Sequence, residues 1–497
     1  MSPAGWVSSD RLAGTSFDTH ARADLYRDRM SDRPGMSRRG FLAAATSAGA
    51  LFALEACSGG HSGTAARRPQ TARTRPTNSA RRLAAQRPDL AKAEGSDLIP
   101  QIEHIVVVMQ ENHSYDSYFG MLGRGDGFTL DQHGAPTASN PDALNKPVRA
   151  FHMANTCQSH ALSQNWNSTH IQWNNGAMDG FVRSPSGPAA MGYWDSTDVP
   201  YYYGLADTFP VCDRWFASCL GQTYPNRRFL LCGSALGSIN TIIGQADLPQ
   251  PKNGTIVETL NRNGISWRDY YTLLPSLALF PPVFAANGDK CPKIEQFFAD
   301  AAAGKLPSVC FVEPNSVTQT EEPPQDISMG EAFTANVVNA VMQSPNWSKT
   351  VLVFCYDEHG GYYDHVPPPA AVPPDDLGPI LRVHPEDHLD GLPGNVPGDY
   401  ARYGFRVPAV IVSPYARKNY VSHVVHDQTS ILSLIEHKWN LPALTNRDGA
   451  ADNLLDSLDL TGTPAFLAPP ALPASKATNG ARPCTPGQPG PIPNPQG

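Results

Sequence analysis

Two short runs of the chain gather carboxylates and histidines directly behind an apolar segment. Ile102–Met109 leads into Gln110-Glu111-Asn112-His113-Ser114-Tyr115-Asp116, and Thr350–Tyr356 leads into Asp357-Glu358-His359-Gly360-Gly361-Tyr362-Tyr363-Asp364-His365. Carboxylates set where a buried strand ends are costly unless something cationic neutralises them. Oxygen donors of this kind suit a hard divalent cation such as calcium, and the neighbouring histidines also admit zinc or manganese. A third run, Gly221-Gln222-Thr223-Tyr224-Pro225-Asn226-Arg227-Arg228, precedes a helix-like apolar stretch from Phe229 to Ala235. By spacing alone, a hydroxyl there reads first as a helix N-cap. The same position sets Thr223 over the backbone N–H groups of a helix start, which favour phosphate, and a metal-activated hydroxyl is a competent nucleophile. Both roles remain open at this level. Gly233-Ser234-Ala235-Leu236-Gly237 carries its serine one position too early for a nucleophile elbow, and no H-E-x-x-H or Walker loop occurs.

Chemistry at strand ends needs a sheet that brings those ends together. Ile102–Met109, Ser308–Val312, Thr350–Tyr356 and Val407–Val412 have the composition of buried strands, while Glu331–Met342 and Thr429–Trp439 have helical spacing. Wholly apolar strands separated by helices predict an α/β fold with a mostly parallel sheet covered on both faces. Ligands of such sheets gather beyond the carboxyl ends of the strands, where the polar runs begin. The catalytic domain is placed at residues 99–461, behind a basic segment, 58–98, that reads as a disordered tether. A Pro- and Gly-rich tail, surface-hugging or loose, occupies 462–497.

The formal charge of −8 is uneven, with +1 on residues 1–57, +7 on 58–92 and −16 on the remainder. A body that acidic excludes a nucleic-acid partner, because phosphate backbones demand the opposite sign. Ser37-Arg38-Arg39-Gly40-Phe41-Leu42 and the apolar run to Leu54 resemble a twin-arginine export signal over residues 1–57. Leu54-Glu55-Ala56-Cys57 is similar to a lipoprotein box, with Glu55 its departure. The expected location is therefore the cell envelope, through a lipid anchor at Cys57, or the medium. The eight other cysteines permit disulfides, with Cys355 inside an apolar run reading as a buried thiol.

The polar runs, taken in order, resemble bacterial phospholipases C and related acid phosphatases. The resemblance covers Ile102–Gly120, His170–Phe181, Thr223–Arg227, Val312–Asn315, Tyr356–Val366 and Val407–Ala416, and so spans roughly residues 100–460. It implies an alkaline-phosphatase-like three-layer α/β/α fold. It also implies a divalent metal ion held by Glu111, Asn112, Asp357 and Glu358, with Thr223 completing the set. His170 is placed near the phosphate, and His359 and His365 are candidates for orienting the ligands. Asn226, within the Thr223–Arg227 motif, is a weaker candidate for the same site. Many members carry a histidine before a Pro-Pro pair where this chain has Glu321-Glu322-Pro323-Pro324, so the family's leaving-group acid is either missing here or supplied by Glu322. The implied activity is phospholipid head-group cleavage through a phosphothreonine at a membrane surface. A phosphomonoesterase acting on small phosphate esters and a non-catalytic surface binding protein are the alternatives. Tyr193, Trp194 and Tyr201–Tyr203 form an aromatic-rich loop, for which core packing is the commoner role and a face for choline or acyl chains the alternative.

Overall fold

The apolar runs become the centre of one seven-stranded sheet in the structure, a computed structural model that describes residues 83–158, 162–242, 245, 248–385 and 387–477. In chain order the strands are β1 (His104–Gln110), β2 (Val211–Cys212), β3 (Trp267–Tyr271), β4 (Val309–Glu313), β5 (Thr350–Tyr356), β6 (Ala409–Val412) and β7 (Val421–Ser422), arranged β7-β2-β6-β5-β1-β4-β3. β1 lies parallel to both β4 and β5, and every residue of the three is buried. Such burial on both faces is why these segments are continuously apolar rather than alternating.

β3 escapes a reading by apolar runs because Trp267-Arg268-Asp269-Tyr270-Tyr271 lies at the sheet edge and its burial is broken at Arg268 and Tyr271. β6 is shorter than the expected 407–412 and runs antiparallel to β5. A parallel return needs a crossover that carries the chain back to the opposite edge. Residues 357–408 form no helix among those described, so the chain re-enters the sheet from the edge it left.

The helices that matter for the site are α1 (Tyr115–Phe119), α2 (Trp166–Trp173), α3 (Pro200–Thr208), α4 (Thr223–Cys232), α5 (Ile327–Gln343) and α6 (Gln428–Lys438). Asp326 caps α5 by accepting from the Ser328 N–H, and Asp427 caps α6 in a capping box with Ser430. α5 packs on β1 and β5, and α4 and α6 pack on each other, which gives three α/β/α layers. No helix among the described residues is long and apolar enough to cross a membrane.

The tether expected over 58–98 is corrected at its carboxyl end. From Leu83 the backbone follows the body, with Leu98 N–H donating to Lys438 O at 2.8 Å. The Asn440 amide donates to the carbonyls of Asp89, Lys92 and Ala93. A polar stretch without periodicity is ordered here because a buried asparagine satisfies its carbonyls. The tail follows the surface as far as it is described, with Trp347 Nε1 donating to Phe466 O. Residues 1–82, which include the export signal and Cys57, and 478–497 lie outside the described residues. Cys212, Cys219, Cys232, Cys291, Cys310 and Cys355 are buried free thiols, and Cys157 is disulfide-bonded.

Candidate active site

Adjacent strands bring the two polar runs together. Gln110 pairs with Tyr356 at the ends of β1 and β5, and the next residue's N–H, that of Asp357, donates to Gln110 O at 3.1 Å. Asn112 N–H reaches Asp357 Oδ1 at 3.4 Å, and Glu358 N–H donates to the same oxygen at 2.7 Å. The two turns touch through backbone. A Cβ on Gly360, whose φ is +66°, would lie 1.9 Å from Asn112 O, so only glycine lets them close. Asn112 itself adopts φ 72°, a conformation asparagine tolerates.

One guanidinium sits among the carboxylates. Arg227 contacts Glu111 Oε1 at 3.3 Å through Nη2, Glu313 Oε2 at 2.6 Å through Nη1 and Asp357 Oδ2 at 3.1 Å through Nε. Ser276 Oγ accepts from Arg227 Nη1 and donates to Glu313 Oε1. With Glu358 beside Asp357, four acids gather about this guanidinium. Burial pushes Asp357 up to about 7 despite Arg227, with Glu111 adding repulsion. Burial and then the Asp357 charge push Glu358 well above the usual carboxylate range.

Asn112 Oδ1 and Nδ2 and Glu358 Oε1 are buried and have no hydrogen-bond partner among the described residues. Orphaned amide and carboxylate oxygens beside surplus negative charge fit an oxygen-preferring divalent cation. Among the described residues, the groups of three or more His, Cys, Asp or Glu whose ligand atoms lie within 4.8 Å of one another are His152, Asp195 and Asp198, and His426, Asp452 and Asp456. The Glu111 set is not one of them, and Arg227 contacts both Glu111 and Asp357.

Thr223 opens α4, but as its first helical residue. The N-cap is Gln222, and it makes no side-chain cap bond, so the N-cap expectation for Thr223 does not hold. Its hydroxyl is therefore not committed to capping. Thr223 and Arg227 are four residues apart and share one face of α4. Asn226 is spent elsewhere: its amide accepts from Cys219 N–H and donates to the carbonyls of Gly221 and Gln222. It shapes the loop that delivers Thr223 rather than entering the site.

His170 lies on α2, its Nδ1 donating to Trp166 O at 2.7 Å, and burial lowers its pKa. The neutral ring thus keeps Nε2 as an acceptor. His170 makes no hydrogen bond to Thr223 or the acids among the described residues. α2 reaches the carboxylate turn through Gln172, whose Oε1 accepts from His359 Nε2 at 2.8 Å. Nδ1 of His359 lies 3.4 Å from Glu358 Oε2, and burial holds the ring down to about 3.

His365 is corrected. Instead of facing the ligands it sits 2.7 Å from Asp116 and 3.3 Å from Asp126, beside Arg406, which also pairs with Asp116 and Asp364. Its job there is to lock α1 to the segment after β5. The aromatic loop packs the core rather than facing choline or acyl chains. Trp194, Tyr201 and Tyr202 are about fully buried, and Tyr193 and Tyr203 nearly so. Trp194 packs on the buried His113 ring, and Tyr202 donates inward to Glu321, leaving no aromatic face for choline.

The sequence assigns no role to Arg227 or Glu313. Glu313 carries the same signal as Glu111 and Asp357, an acid at the end of an apolar strand. Surface cavities of about 490 and 230 Å³ lie elsewhere, the first beside Lys252 and Arg262 and the second beside Leu248 and Phe280.

Residues 102–442 match the model of the Phosphoesterase family. Phospholipase C A of Mycobacterium tuberculosis is 31% identical over 434 residues, covering 77% of this chain and 82% of that protein. The hemolytic phospholipase C of Pseudomonas aeruginosa is 29% identical over 421 residues, covering 73% of this chain and 55% of that protein. Among solved structures, a Vibrio parahaemolyticus protein in the alkaline phosphatase superfamily is 11% identical with a TM-score of 0.36, covering 76% of this chain and 72% of that one. The chain belongs to the phosphoesterase family and is a phosphoric ester hydrolase.

Proposed function

We propose that the chain is a metal-dependent phospholipase C that releases phospholipid head groups by way of a phosphothreonine on Thr223. The observation that carries this reading is the meeting of Glu111, Asn112, Asp357 and Glu358 with Arg227, four residues beyond Thr223 on one helix face. The relatives named phospholipase C support the diester over the monoester. Glu111, Asn112, Asp357, Glu358 and the Thr223 hydroxyl would hold a divalent cation, which when bound lowers the hydroxyl's pKa and polarises a phosphoryl oxygen.

Thr223 Oγ1 attacks phosphorus, the ester bond to the alcohol breaks, and Glu322 gives its proton to the departing oxygen. Water then attacks the phosphothreonine, Glu322 takes its proton, and Thr223 is regenerated. Backbone N–H groups at the start of α4 receive the phosphoryl oxygens, and neutral His170 takes the threonine proton on Nε2 as Oγ1 bonds to phosphorus and returns it to Oγ1 when water displaces the threonine. Arg227 binds no substrate here; it holds Glu111, Glu313 and Asp357 in register. We further propose export by the twin-arginine route, with lipidation at Cys57 or release, and work at a membrane surface.

Purified protein assayed with p-nitrophenyl phosphorylcholine and p-nitrophenyl phosphate, with and without EDTA, tests the reading. Diester turnover abolished by chelator and restored by added metal is expected. Faster turnover of the monoester would make the chain a phosphomonoesterase, and no turnover of either would make it a binding protein.

A further inference from the structure

Glu321 is a fully buried carboxyl that takes no part in the metal set, yet its surroundings are built around it. Tyr118, Tyr202 and Tyr356 each donate a hydroxyl to it, at 2.6, 2.5 and 2.7 Å. Its backbone has φ 68°, uncommon for a residue with a side chain. A Cβ on Gly330 of α5 would lie 2.3 Å from Glu321 Oε1, so the helix carries glycine where the carboxyl passes. A carboxyl taken out of water into a ring of tyrosines is a poor source of stability compared with an apolar side chain of that size.

The turn that Glu321 anchors is tied down at every other point. Gln158 Nε2 donates to Glu321 O at 2.6 Å, Gln325 Oε1 accepts from Thr320 N–H, and Gln325 N–H donates to Glu322 O at 2.8 Å. Thr320 O accepts from the N–H of Glu111 at 3.1 Å, which joins the turn directly to the expected ligand set. Glu322 is the next residue of this turn, two positions beyond the Thr320 carbonyl that receives the Glu111 N–H.

We infer that Glu321 is a positioning residue, whose tyrosine-held carboxyl fixes the Thr320–Gln325 turn so that Glu322 meets the leaving oxygen of the substrate. The inference rests on Glu322 being the proton donor described above. As the P–O bond to the alcohol breaks, that oxygen takes the Glu322 proton, the alcohol departs neutral and Glu322 is left as a carboxylate. An alkoxide needs this proton to leave. A nitrophenolate does not.

The test compares kcat/KM, which reports only steps up to alcohol departure, for phosphatidylcholine in mixed micelles and for p-nitrophenyl phosphorylcholine. Full-length Glu321→Gln, Glu322→Gln and the double variant are measured, with folding checked by thermal unfolding. Each single variant is expected to lower the lipid-to-nitrophenyl ratio about 100-fold, the scale of a lost general acid. The double variant is expected to match Glu322→Gln alone. Tyr202→Phe, which removes one of the three hydroxyls, should move the ratio the same way by less, and it serves if Glu321→Gln does not fold. A ratio that falls for Glu322→Gln but holds for Glu321→Gln and Tyr202→Phe overturns the positioning role and leaves the donor. A ratio unmoved by any variant overturns both. Losses that multiply in the double variant show that Glu321 acts independently and also overturn the inference. If the chain takes monoesters instead, glycerol phosphate against p-nitrophenyl phosphate gives the same comparison.

Discussion

Arg227 is the side chain whose loss the site should feel most in stability. Its guanidinium is buried and touches Glu313 at 2.6 Å, Asp357 at 3.1 Å and Glu111 at 3.3 Å. In Arg227→Met the side chain keeps its bulk and loses its charge, removing the guanidinium from among the carboxylates Glu111, Glu313 and Asp357. Removing one partner of a buried ion pair costs about 3–5 kcal/mol, because the remaining charge is left uncompensated. Protonation of Asp357 and Glu358, which burial already favours, absorbs part of that cost, so about 3 kcal/mol is expected. For a body of roughly 400 residues the unfolding entropy near the midpoint is about 0.8 kcal/mol per degree, so the midpoint should fall by roughly 4 °C. Thermal unfolding in EDTA measures it. Added divalent metal should narrow the gap, since the cation replaces part of the missing charge. A midpoint within about 1 °C of wild type in EDTA, or one that falls further when metal is added, would show that Arg227 does not neutralise this cluster.

Thr223→Ala should lower turnover by several orders of magnitude while Thr223→Ser keeps measurable activity, since alanine removes the proposed attacking hydroxyl and serine keeps it. Rapid quench with a labelled diester should place the label on Thr223, and a label on a histidine would sink the mechanism. His365 supplies a pH signature. Burial opposes its charge, but Asp116 and Asp126 outweigh burial and hold it up to about 10, above its ordinary value of 6.5. Its contribution is therefore complete below pH 6.5 and lost as pH rises through about 10. His365→Gln should cost about 1.5–3 kcal/mol at pH 6, the worth of hydrogen bonds to charged groups, and little at pH 10.5. Equal losses at both pH values in thermal unfolding, with Arg406, Asp364, Asp116 and Asp126 unchanged around it, would refute this. Replacing Arg38 and Arg39 with lysine should leave precursor in the cytoplasm, and undiminished export by fractionation would exclude the twin-arginine route.

The fold was legible where burial is complete. β1, β4 and β5 are covered on both faces, so their sequences are unbroken apolar runs, and each run ends on an acid. β3 and the two-residue strands β2 and β7 were not legible, because an edge or very short strand carries no such run. The histidines divide by the same logic. His359 and His365 are six residues apart in one motif, yet one faces Glu358 and the other an arginine–aspartate cluster. Nothing in composition separates them, since the difference lies in where Arg406 arrives from more than 40 residues away. Composition alone does not divide the aromatic loop between core and binding face, because tyrosine and tryptophan serve both, and Tyr202 had a buried carboxyl to satisfy.

What links the legible part to the hidden part is strand order. β5, β1 and β4 are consecutive neighbours, with Gln110 opposite Tyr356 and Val108 opposite Val312. Neighbouring strands lie about 4.8 Å apart, so acids placed just past their ends fall within about 10 Å of one another. Asp357, Glu111 and Glu313 are those acids, one from each strand. Once the order is known, a buried cation between them is required on electrostatic grounds. Arg227 reaches all three, and it projects from the helix that begins with Thr223. The charge that stabilises the strand ends therefore also fixes the helix start against them. A substitution that disturbed Arg227 would consequently misplace Thr223 as well as the acids.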